Sequence, residues 1–309
     1  MNSVEIGIIF QDHNLLIVNK PAGLVIHPTY KHADGTMWDS LLTYLEGQER
    51  DDWTPPELVD DPDWRGAPEL VRVMLRERRR ERLVKENGLL PRPCLLHRLD
   101  KDTSGVVALA RTENARRHVV AQFHAHTIEK RYLAVVRQGA PDWATPRTPL
   151  LIHQTDGALS HDLPALELED ENLNEFTLEG PLRRDPDDRR RCIVGVDGQD
   201  SLTTFRVLAR AGGFVLLEVR PITGRTHQIR AHLAAAGWAI VGDPIYAPPT
   251  EVGTAAAALT RQFLHAFSLG LRSYPTNEFT TFVAPLAEDL RDWLIAYFPP
   301  GLEAIYPCP

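Results

Sequence analysis

The order of hydrophobic and polar positions near the amino terminus predicts a hairpin followed by a short helix. Two short apolar runs, at 6–10 and 15–18, surround a four-residue polar break, a pattern typical of two paired strands. A stretch with Pro and Gly at 20–24 then predicts a loop. Between residues 36 and 46, apolar side chains recur at helical spacing, which predicts a helix with one buried face.

The middle of the chain predicts a buried strand, a capped helix and a second strand. Residues 106–110 are uniformly apolar and predict a strand in the core. Thr112 can cap the amino end of the next helix, along which apolar residues recur every fourth position from Ala115 to Phe123. Residues 132–136 predict the following strand.

The carboxy-terminal half predicts an antiparallel pair of strands, a helix that ends before Gly237, two further strands and a closing helix. Their predicted ranges are 203–208, 214–219, about 226–236, 263–266, 280–283 and 289–297. The order of elements indicates an α+β fold, with a large, mainly antiparallel mixed sheet and helices packed on it.

Two segments of biased charge interrupt this pattern, at about 50–93 and 141–180. The first opens with a polar, Pro-containing stretch at 50–66, which predicts a surface loop. It continues with a predicted helix at 71–85 that carries seven Arg and Lys against two Glu. The basic side chains of that helix are either simply solvated or contact phosphates, and their charge favours neither alternative. In the second segment, residues 156–179 hold eight acidic residues and no basic one, so we expect a solvated, partly mobile excursion.

Composition restricts the class of protein. An apolar fraction of 43% and a charged fraction of 25% are ordinary for a folded chain of 309 residues. The net charge of −8 argues against an unstructured basic coat on nucleic acid. Three widely spaced cysteines imply neither a disulfide framework nor a metal knuckle, and they favour a reducing, cytoplasmic compartment. The amino terminus lacks a secretory signal pattern, and no apolar run reaches the length of a membrane span.

Several common catalytic signatures are missing. The chain has no Gly-rich dinucleotide motif, no P-loop, no H-E-x-x-H and no G-x-S-x-G. Its histidines are also poorly spaced for a metal, because His124 and His126 are two residues apart and His227 and His232 are five apart. The spacing therefore argues against a metal site.

The densest group of polar residues is 97–105, which lies between Leu96 and the strand predicted at 106–110. A polar loop between buried strands is a common place for functional side chains. The stretch 102–105 also suits a plain turn stabilised by Asp side-chain hydrogen bonds. Composition alone leaves both interpretations open.

A second polar cluster, at 224–230, lies at the predicted start of a helix. Free backbone N–H groups favour an anion there, so Arg225 in the first turn would be misplaced unless a phosphate or carboxylate binds beside it. Arg230 begins the side of the helix that faces the sheet and needs a carboxylate partner, for which Asp100 is the natural candidate. Alternatively, Arg225 is merely exposed and Arg230 pairs with another acid.

Six motifs in a fixed order resemble those of the RluA-type pseudouridine synthases. The matching stretches are 19–28, 97–105, 130–132, 220–233, 242–246 and 264–266. A lone His97-Arg98-Leu99-Asp100 would be a weak signal, but six ordered motifs along most of the chain are a specific one.

The resemblance implies an isomerase that converts uridine in RNA to pseudouridine without cofactor or metal, in a central cleft of the sheet. Asp100 would be the nucleophilic aspartate, acting at the anomeric carbon or removing a proton to form a glycal. Arg230 would pair with Asp100 and keep it ionised. Tyr132 would stack on the target base and could handle a proton late in the reaction. Arg98 would fill the gap left by the flipped nucleotide.

The same resemblance places RNA contacts around the cleft. Besides Arg98, the residues expected to bind RNA are Lys20, Arg78, Arg79, Arg80, His97, Arg225 and His227. Many family members carry an amino-terminal S4-type RNA-binding domain, whereas this chain starts close to the first motif, so we expect the basic helix to take its place. The predicted organisation is one catalytic domain over 1–309 with a basic and an acidic insertion. We expect a monomer that binds ribosomal or transfer RNA, and neither DNA nor a membrane.

Two other functions compete with this one. A catalytically inactive RNA-binding module with the same fold is disfavoured, because all three predicted catalytic residues are present. A metal-dependent nuclease or phosphoesterase is disfavoured by the spacing of its candidate ligands, which would be His97, Asp100, His227 and His232.

Overall fold

Thirteen strands of the described residues form one mixed sheet, and helices pack against it. The computed structural model describes residues 6–26, 34–48, 62–64, 66–145, 150–154, 159–160, 166–248 and 254–302, with single residues at 54, 58 and 60. Its strands are β1 (Gly7–Gln11), β2 (Leu15–Lys20), β3 (Leu89–Leu95), β4 (Ser104–Thr112), β5 (Glu129–Gln138), β6 (Leu151–Gln154), β7 (Leu159–Ser160), β8 (Glu175–Glu179), β9 (Leu182–Arg184), β10 (Cys192–Val194), β11 (Leu202–Ala211), β12 (Phe214–Pro221), β13 (Trp238–Ile240), β14 (Leu264–Arg272) and β15 (Phe279–Val283). Its α-helices are α1 (Met37–Glu46), α2 (Glu69–Asn87), α3 (Glu113–His124), α4 (Gln228–Ala235) and α5 (Glu288–Tyr297).

Antiparallel pairing dominates the sheet. The strands follow the order β1, β2, β4, β14, β5, β12, β11, β8, β6 and β7, while β3, β13 and β15 pair with β4, β5 and β14. Among the described strands, the parallel contact joins β14 to β4, with His265 beside Ser104 and Ala266 beside Gly105. β9 and β10 form a separate two-stranded sheet against α4. The predicted α+β fold with a mainly antiparallel mixed sheet is confirmed.

Gly105 allows the close approach of β4 and β14. It has a φ of +119°, and a Cβ on it would lie 2.1 Å from the carbonyl oxygen of Ala266. Any side chain at this position would push the two strands apart. Because β4 follows directly on the polar loop at 97–103, this approach also fixes the loop near the centre of the sheet.

Local hydrogen bonds explain the predicted hairpin and the start of α3. Asp12 Oδ1 accepts from the amides of Asn14 at 2.7 Å and Leu15 at 2.6 Å, which closes the turn between β1 and β2. Thr112 caps α3 by accepting from the Ala115 amide at 3.3 Å. The other predicted strands and helices are present, although β14 extends six residues beyond the predicted 263–266 and β5 extends beyond the predicted 132–136 at both ends.

The described strands of the acidic segment are part of the sheet, which corrects the expectation of a solvated excursion for these strands. β8 lies between β11 and β6, so residues 151–154 and 175–179 extend the sheet. Phe176 and Leu178 are buried in the core, and the Phe176 ring stacks on Phe205 with 4.8 Å between centroids. Exposed glutamates alternate with these buried side chains. For these strands the expectation was wrong, because it rested on the count of charges and overlooked this alternation.

The basic helix lies on the surface. α2 extends two residues beyond the predicted range at each end, and none of its described side chains is buried. Glu86 pairs with Arg117 of α3 at 3.7 Å, and Asn87 accepts from the Asn114 side chain at 2.9 Å. Most of the loop predicted at 50–66 lies outside the described residues. Across the described helices, none combines the length and apolar character that a bilayer crossing needs.

Candidate active site

A cleft opens where α3, β5 and the residues before α4 meet the polar loop that precedes β4. Seven of the predicted site residues line it: His97, Arg98, Asp100, Tyr132, Arg225, His227 and Arg230. The structure therefore brings the two polar clusters of the sequence together. The predicted site residues that do not line the cleft are Lys20, Arg78, Arg79 and Arg80.

Arg230 holds the Asp100 carboxylate at the wall of the cleft. Arg230 Nη1 donates to Asp100 Oδ2 at 3.0 Å, as the sequence predicted. The arginine side chain is 4% exposed, whereas the aspartate side chain is 23% exposed. A buried cation thus fixes a carboxylate that remains accessible, and such a carboxylate can act on a bound molecule.

A second carboxylate, which the sequence analysis missed, fixes Arg230 from its other side. Asp243 is buried and accepts from Arg230 Nε at 2.6 Å and from Nη2 at 2.8 Å. Asp243 Oδ1 also accepts from the amides of Ile245 and Tyr246. Burial disfavours the charged guanidinium, but Asp243 and Asp100 together raise the pKa of Arg230 above its usual value. The available signal was an aspartate in the turn at 242–244, within one of the recognised motifs.

His227 lies beside the same carboxylate. It adopts a left-handed φ of +56°, so α4 begins at Gln228 and not at about residue 226. His227 Nε2 is 3.7 Å from Asp100 Oδ2, and Nδ1 is 3.1 Å from the Tyr246 hydroxyl. Burial lowers the pKa of His227, and the charge of Asp100 opposes this shift. With a pKa below 6.5, the ring is mostly neutral at pH 7.

β5 contributes an aromatic and a basic side chain to the cleft. Burial, helped by the charge of Asp100, raises the pKa of the Tyr132 phenol, so the hydroxyl stays protonated at neutral pH. Lys130 points to the same side of the strand, and its Nζ donates to the Thr223 carbonyl at 3.0 Å. Burial lowers the pKa of Lys130 to about 8. Lys130 lies in the motif at 130–132, but no role was predicted for it.

His97 and Arg98 are neighbours with different environments. Arg98 is exposed at the cleft. His97 Nε2 accepts from the Ala108 amide at 3.1 Å, and burial, with the charge of Lys130, lowers the pKa of His97 to about 4. A neutral ring bonded to the backbone offers no charge to a phosphate. His97 therefore holds the loop against β4, and its predicted contact with RNA stays a prediction.

Arg225 precedes α4 and is exposed at the cleft. Its amide donates to Gln228 Oε1 at 2.9 Å, and its Nε donates to the Asp200 carbonyl at 3.2 Å. The prediction of a cation within the first helical turn was wrong, because the left-handed residue 227 delays the start of the helix.

Lys20 is completely buried, which contradicts its predicted contact with RNA. Its Nζ donates to the carbonyls of Pro21 at 2.9 Å, Lys101 at 2.8 Å and Thr103 at 2.9 Å. Two of these carbonyls belong to the loop that carries Asp100. Lys20 therefore ties the end of β2 to this loop and helps to position the carboxylate.

The geometry gives no support to the metal-dependent nuclease. Within the described residues, no group of three His, Cys, Asp or Glu side chains is close enough to hold a metal ion. His232, one of its four candidate ligands, is completely buried and bonded to Thr203 Oγ1 and the Gly180 carbonyl. A second candidate, His97, is bonded to the backbone of β4.

Comparisons with known proteins agree on one family. The family model described as RNA pseudouridylate synthase matches residues 14–235. An uncharacterized RNA pseudouridine synthase of Bacillus subtilis is 30% identical, over 94% of this chain and 72% of its own length. Ribosomal large subunit pseudouridine synthase D of Xanthomonas campestris is 32% identical, over 93% of this chain and 68% of its own length. An uncharacterized RNA pseudouridine synthase of Chloroflexus aurantiacus is 34% identical, over 88% of this chain and 63% of its own length.

Two solved human structures share the fold. Human RNA pseudouridylate synthase domain containing 1 has a TM-score of 0.58 and 20% identity, with 99% of this chain and 96% of that chain covered. Human RNA pseudouridylate synthase domain containing 4 has a TM-score of 0.54 and 23% identity, with 96% of this chain and 95% of that chain covered. At such low identity the likeness concerns the fold alone.

Proposed function

The chain belongs to the RNA pseudouridylate synthase family, whose members are isomerases that act on RNA, and from this premise we propose that it converts specific uridines of structured RNA to pseudouridine. The observation that carries this proposal is the Asp100 carboxylate, held by Arg230 at 3.0 Å in an open cleft. The reaction breaks the bond between uracil N1 and ribose C1′, turns the base and joins C5 to C1′.

Asp100 is the group that acts on the ribose. It attacks C1′ directly, or it removes a neighbouring proton to form a glycal, and either step needs an ionised and oriented carboxylate. Arg230 orients it through one hydrogen bond, while Asp243 takes the other two donors described for that guanidinium. Two carboxylates on one guanidinium leave a net negative charge, so Asp100 is held without being fully neutralised.

The target nucleotide must leave the RNA stack, because an aspartate in the wall of a cleft cannot reach C1′ of a stacked nucleotide. The Tyr132 ring lies beside Asp100 in the cleft and offers a surface on which the flipped base can stack. Arg98 is exposed at the edge of the same cleft and can occupy the vacated position with its planar guanidinium.

Cations around the cleft suit the phosphates on either side of the target. Arg225 and Lys130 line the cleft itself. α2 extends this charge, because it packs on α3, whose residues Val120 and His124 also line the cleft. Arg78, Arg79 and Arg80 are exposed on α2, and we propose that they contact the RNA backbone outside the cleft.

Ribosomal RNA is the substrate class that the relatives favour. Xanthomonas campestris, Nitrosomonas europaea and Pseudomonas aeruginosa proteins that match 93–97% of this chain are each named ribosomal large subunit pseudouridine synthase D. We therefore propose a uridine of the large ribosomal subunit RNA as the target, with transfer RNA as the alternative to be tested.

Tritium release from uridine C5 tests the activity. Unmodified ribosomal and transfer RNA, labelled at C5 of uridine, is incubated separately with wild type and with Asp100→Asn, and Asp102→Asn in the same loop serves as the matched control. We expect release by wild type and the control from ribosomal RNA, and a loss of about a thousandfold or more for Asp100→Asn with RNA binding kept.

Each other outcome changes one part of the proposal. Release from transfer RNA alone would replace the substrate class. Turnover by Asp100→Asn close to wild type would reject the catalytic role of Asp100. No release by wild type from either pool, together with tight RNA binding, would favour the inactive RNA-binding module.

A further inference from the structure

His227 is a cleft residue for which RNA binding alone is a poor explanation. It is half-buried, its pKa is lowered by burial, and one of its ring nitrogens is tied to a buried tyrosine. On the basis of the function proposed above, we propose that His227 Nε2 is the general base that removes the proton from uracil C5 in the last step of the isomerisation.

The position of His227 meets the geometric requirement for this step. Once C5 has bonded to C1′, the C5 proton lies next to the atom on which Asp100 acts. Its acceptor must therefore lie beside the Asp100 carboxylate and in the cleft. His227 Nε2 is 3.7 Å from Asp100 Oδ2, which is too long for a hydrogen bond but close enough to share one substrate.

The hydrogen bonds of Tyr246 leave Nε2 free to accept a proton. The Tyr246 hydroxyl accepts from the Cys192 amide at 2.7 Å and lies 3.1 Å from the Cys192 carbonyl. Because its single proton is donated to that carbonyl, its second lone pair accepts from His227 Nδ1–H at 3.1 Å. In this tautomer the lone pair of the imidazole is on Nε2, beside Asp100.

Tyr246 also holds the ring in place. Its side chain is 1% exposed and meets the imidazole edge to face, with centroids 5.7 Å apart and planes at 82°. His227 has a left-handed backbone just before α4, and its side chain lines the cleft. The ring is therefore positioned from both the backbone and the side chain.

The other polar groups near Asp100 are poorer acceptors. The Tyr132 phenol is protonated, because burial and the charge of Asp100 raise its pKa. Arg230 is a cation whose donors bind Asp100 and Asp243. Lys130 donates to the Thr223 carbonyl. A neutral His227, by contrast, has an available lone pair.

The proton transfer balances in atoms and charge. After C5 bonds to C1′, the base holds a tetrahedral C5 with its hydrogen and a double bond between N1 and C6. His227 Nε2 takes the C5 proton, the C5–H electron pair forms the C5–C6 double bond, and the N1–C6 electrons move to N1. N1 then takes a proton from water, and the imidazolium returns its proton to water. The Asp100 carboxylate, 3.7 Å away, stabilises the imidazolium while it exists.

Other charges act on His227 from the surrounding elements. Asp100 and Asp243 favour its protonated form, whereas Arg230 and Arg184 oppose it. The net direction is a pKa below the ordinary 6.5, which keeps the base unprotonated at neutral pH. The base is also regenerated readily, because an imidazolium with a lowered pKa releases its proton to water easily.

A kinetic isotope effect distinguishes this role from a structural one. RNA with protium or deuterium at uridine C5 is turned over by wild type, His227→Asn and His227→Gln. Asparagine is chosen because it tolerates the left-handed backbone, and His153→Gln, at a histidine of β6 that does not line the cleft, is the matched control. Thermal unfolding and RNA affinity are measured for every variant.

We expect both His227 variants to lower kcat by about a hundredfold or more, with KM and RNA affinity unchanged. Removal of the C5 proton should then limit the rate, so the ratio of protium to deuterium turnover rises above the wild-type ratio. Tyr246→Phe, which keeps the histidine but removes its anchor, should give a smaller loss in the same direction. His153→Gln should behave like wild type in both quantities.

Two results would overturn the inference while leaving the proposed function intact. One is turnover by the His227 variants close to that of wild type. The other is a reduced turnover with the isotope ratio of wild type, which would mean that His227 acts only on structure or binding. Absence of wild-type turnover on any RNA would reject the proposed function itself and this inference with it.

Discussion

The two charged segments of this chain have opposite relations to the core. The acidic segment adds β6 and β8 to the sheet and buries Phe176 and Leu178. The basic helix α2 buries none of its described side chains, although it is longer and more regular. Net charge therefore does not indicate whether a segment supports the fold. The spacing of apolar residues between the charges indicates whether the segment packs into the core.

The same contrast appears in how the two segments use their charges. In β8, the glutamates occupy the exposed positions of a strand whose other face is apolar, and Glu179 lies 3.0 Å from His153 Nε2 of the neighbouring β6. In α2, Arg72 and Arg76 pair with acidic neighbours, while Arg78 and Arg80 have no ion-pair partner among the described residues. Exposed cations without intramolecular partners are suited to binding an external polyanion.

The largest expected effect concerns the core contribution of the acidic segment. Phe176→Ala should lower the free energy of unfolding by about 3–5 kcal/mol, because it removes a buried ring that stacks on Phe205. The matched change in the basic helix is Leu70→Ala, at a side chain that is 75% exposed, and it should cost less than about 0.5 kcal/mol. Urea unfolding of both variants measures the difference. Equal losses would mean that the contrast between the segments is wrong.

A smaller effect is expected from charge reversal on α2. The combined change of Arg78, Arg79 and Arg80 to Glu should weaken RNA binding and flatten its salt dependence, by about one unit of slope for each phosphate that the helix no longer binds. Stability should not change, since these side chains are exposed. Filter binding at several salt concentrations measures both the affinity and the slope. Arg291→Glu, on a helix that does not line the cleft, is the control.

An unchanged affinity and salt slope for the α2 variant would contradict an RNA contact at this helix. The helix would then be a solvated surface, as its charge alone allows. A comparable loss in Arg291→Glu would show instead that RNA binding responds to total charge.

A further expected effect is a pH-dependent weakening where the acidic segment ends. His232 is completely buried, binds the Gly180 carbonyl at 3.1 Å, and has a pKa that burial lowers to about 4. The unfolded chain binds this proton at about pH 6.5, so unfolding takes up a proton between pH 6.5 and pH 4. Stability is therefore fully present above pH 6.5 and falls with decreasing pH, by about 1.4 kcal/mol per pH unit for one such histidine.

Urea unfolding across this pH range, for wild type and His232→Gln, checks the expectation. Burial also lowers the pKa of His265 and of His97 to about 4, so each of them contributes a further proton in both proteins. The variant should take up one proton fewer on unfolding than wild type, and the pH dependence due to the other histidines should remain. An identical slope in both proteins would exclude His232 as a source of acid sensitivity.

Local patterns were sufficient to predict most of the fold. The apolar runs, the Thr112 cap and the helical spacings each depend on neighbours in sequence, and the corresponding elements are present. The placement of β8 between β11 and β6 was not predicted, since it depends on pairing between distant strands. Nor could any local rule show that Gly105 meets Ala266 across a parallel contact.

The candidate site was predictable where a single pair of residues decides the geometry. Asp100 and Arg230 were paired from a buried arginine that needs a carboxylate, and they are in contact. The burial of Lys20 was missed, because lysine is rarely buried and its partners are backbone carbonyls with no sequence signature. Asp243 was missed because one arginine was assumed to need only one acid.

The buried Lys20 has a consequence for sequence variation in the catalytic loop. Its ammonium group binds the main-chain carbonyls of Lys101 and Thr103 and no side chain of the loop. Every residue type presents such a carbonyl, so substitutions at position 101 leave the attachment of the loop intact. Evolution can therefore change the side chains that face the RNA beside Asp100 and so alter target choice, whereas the lysine beneath them must be retained.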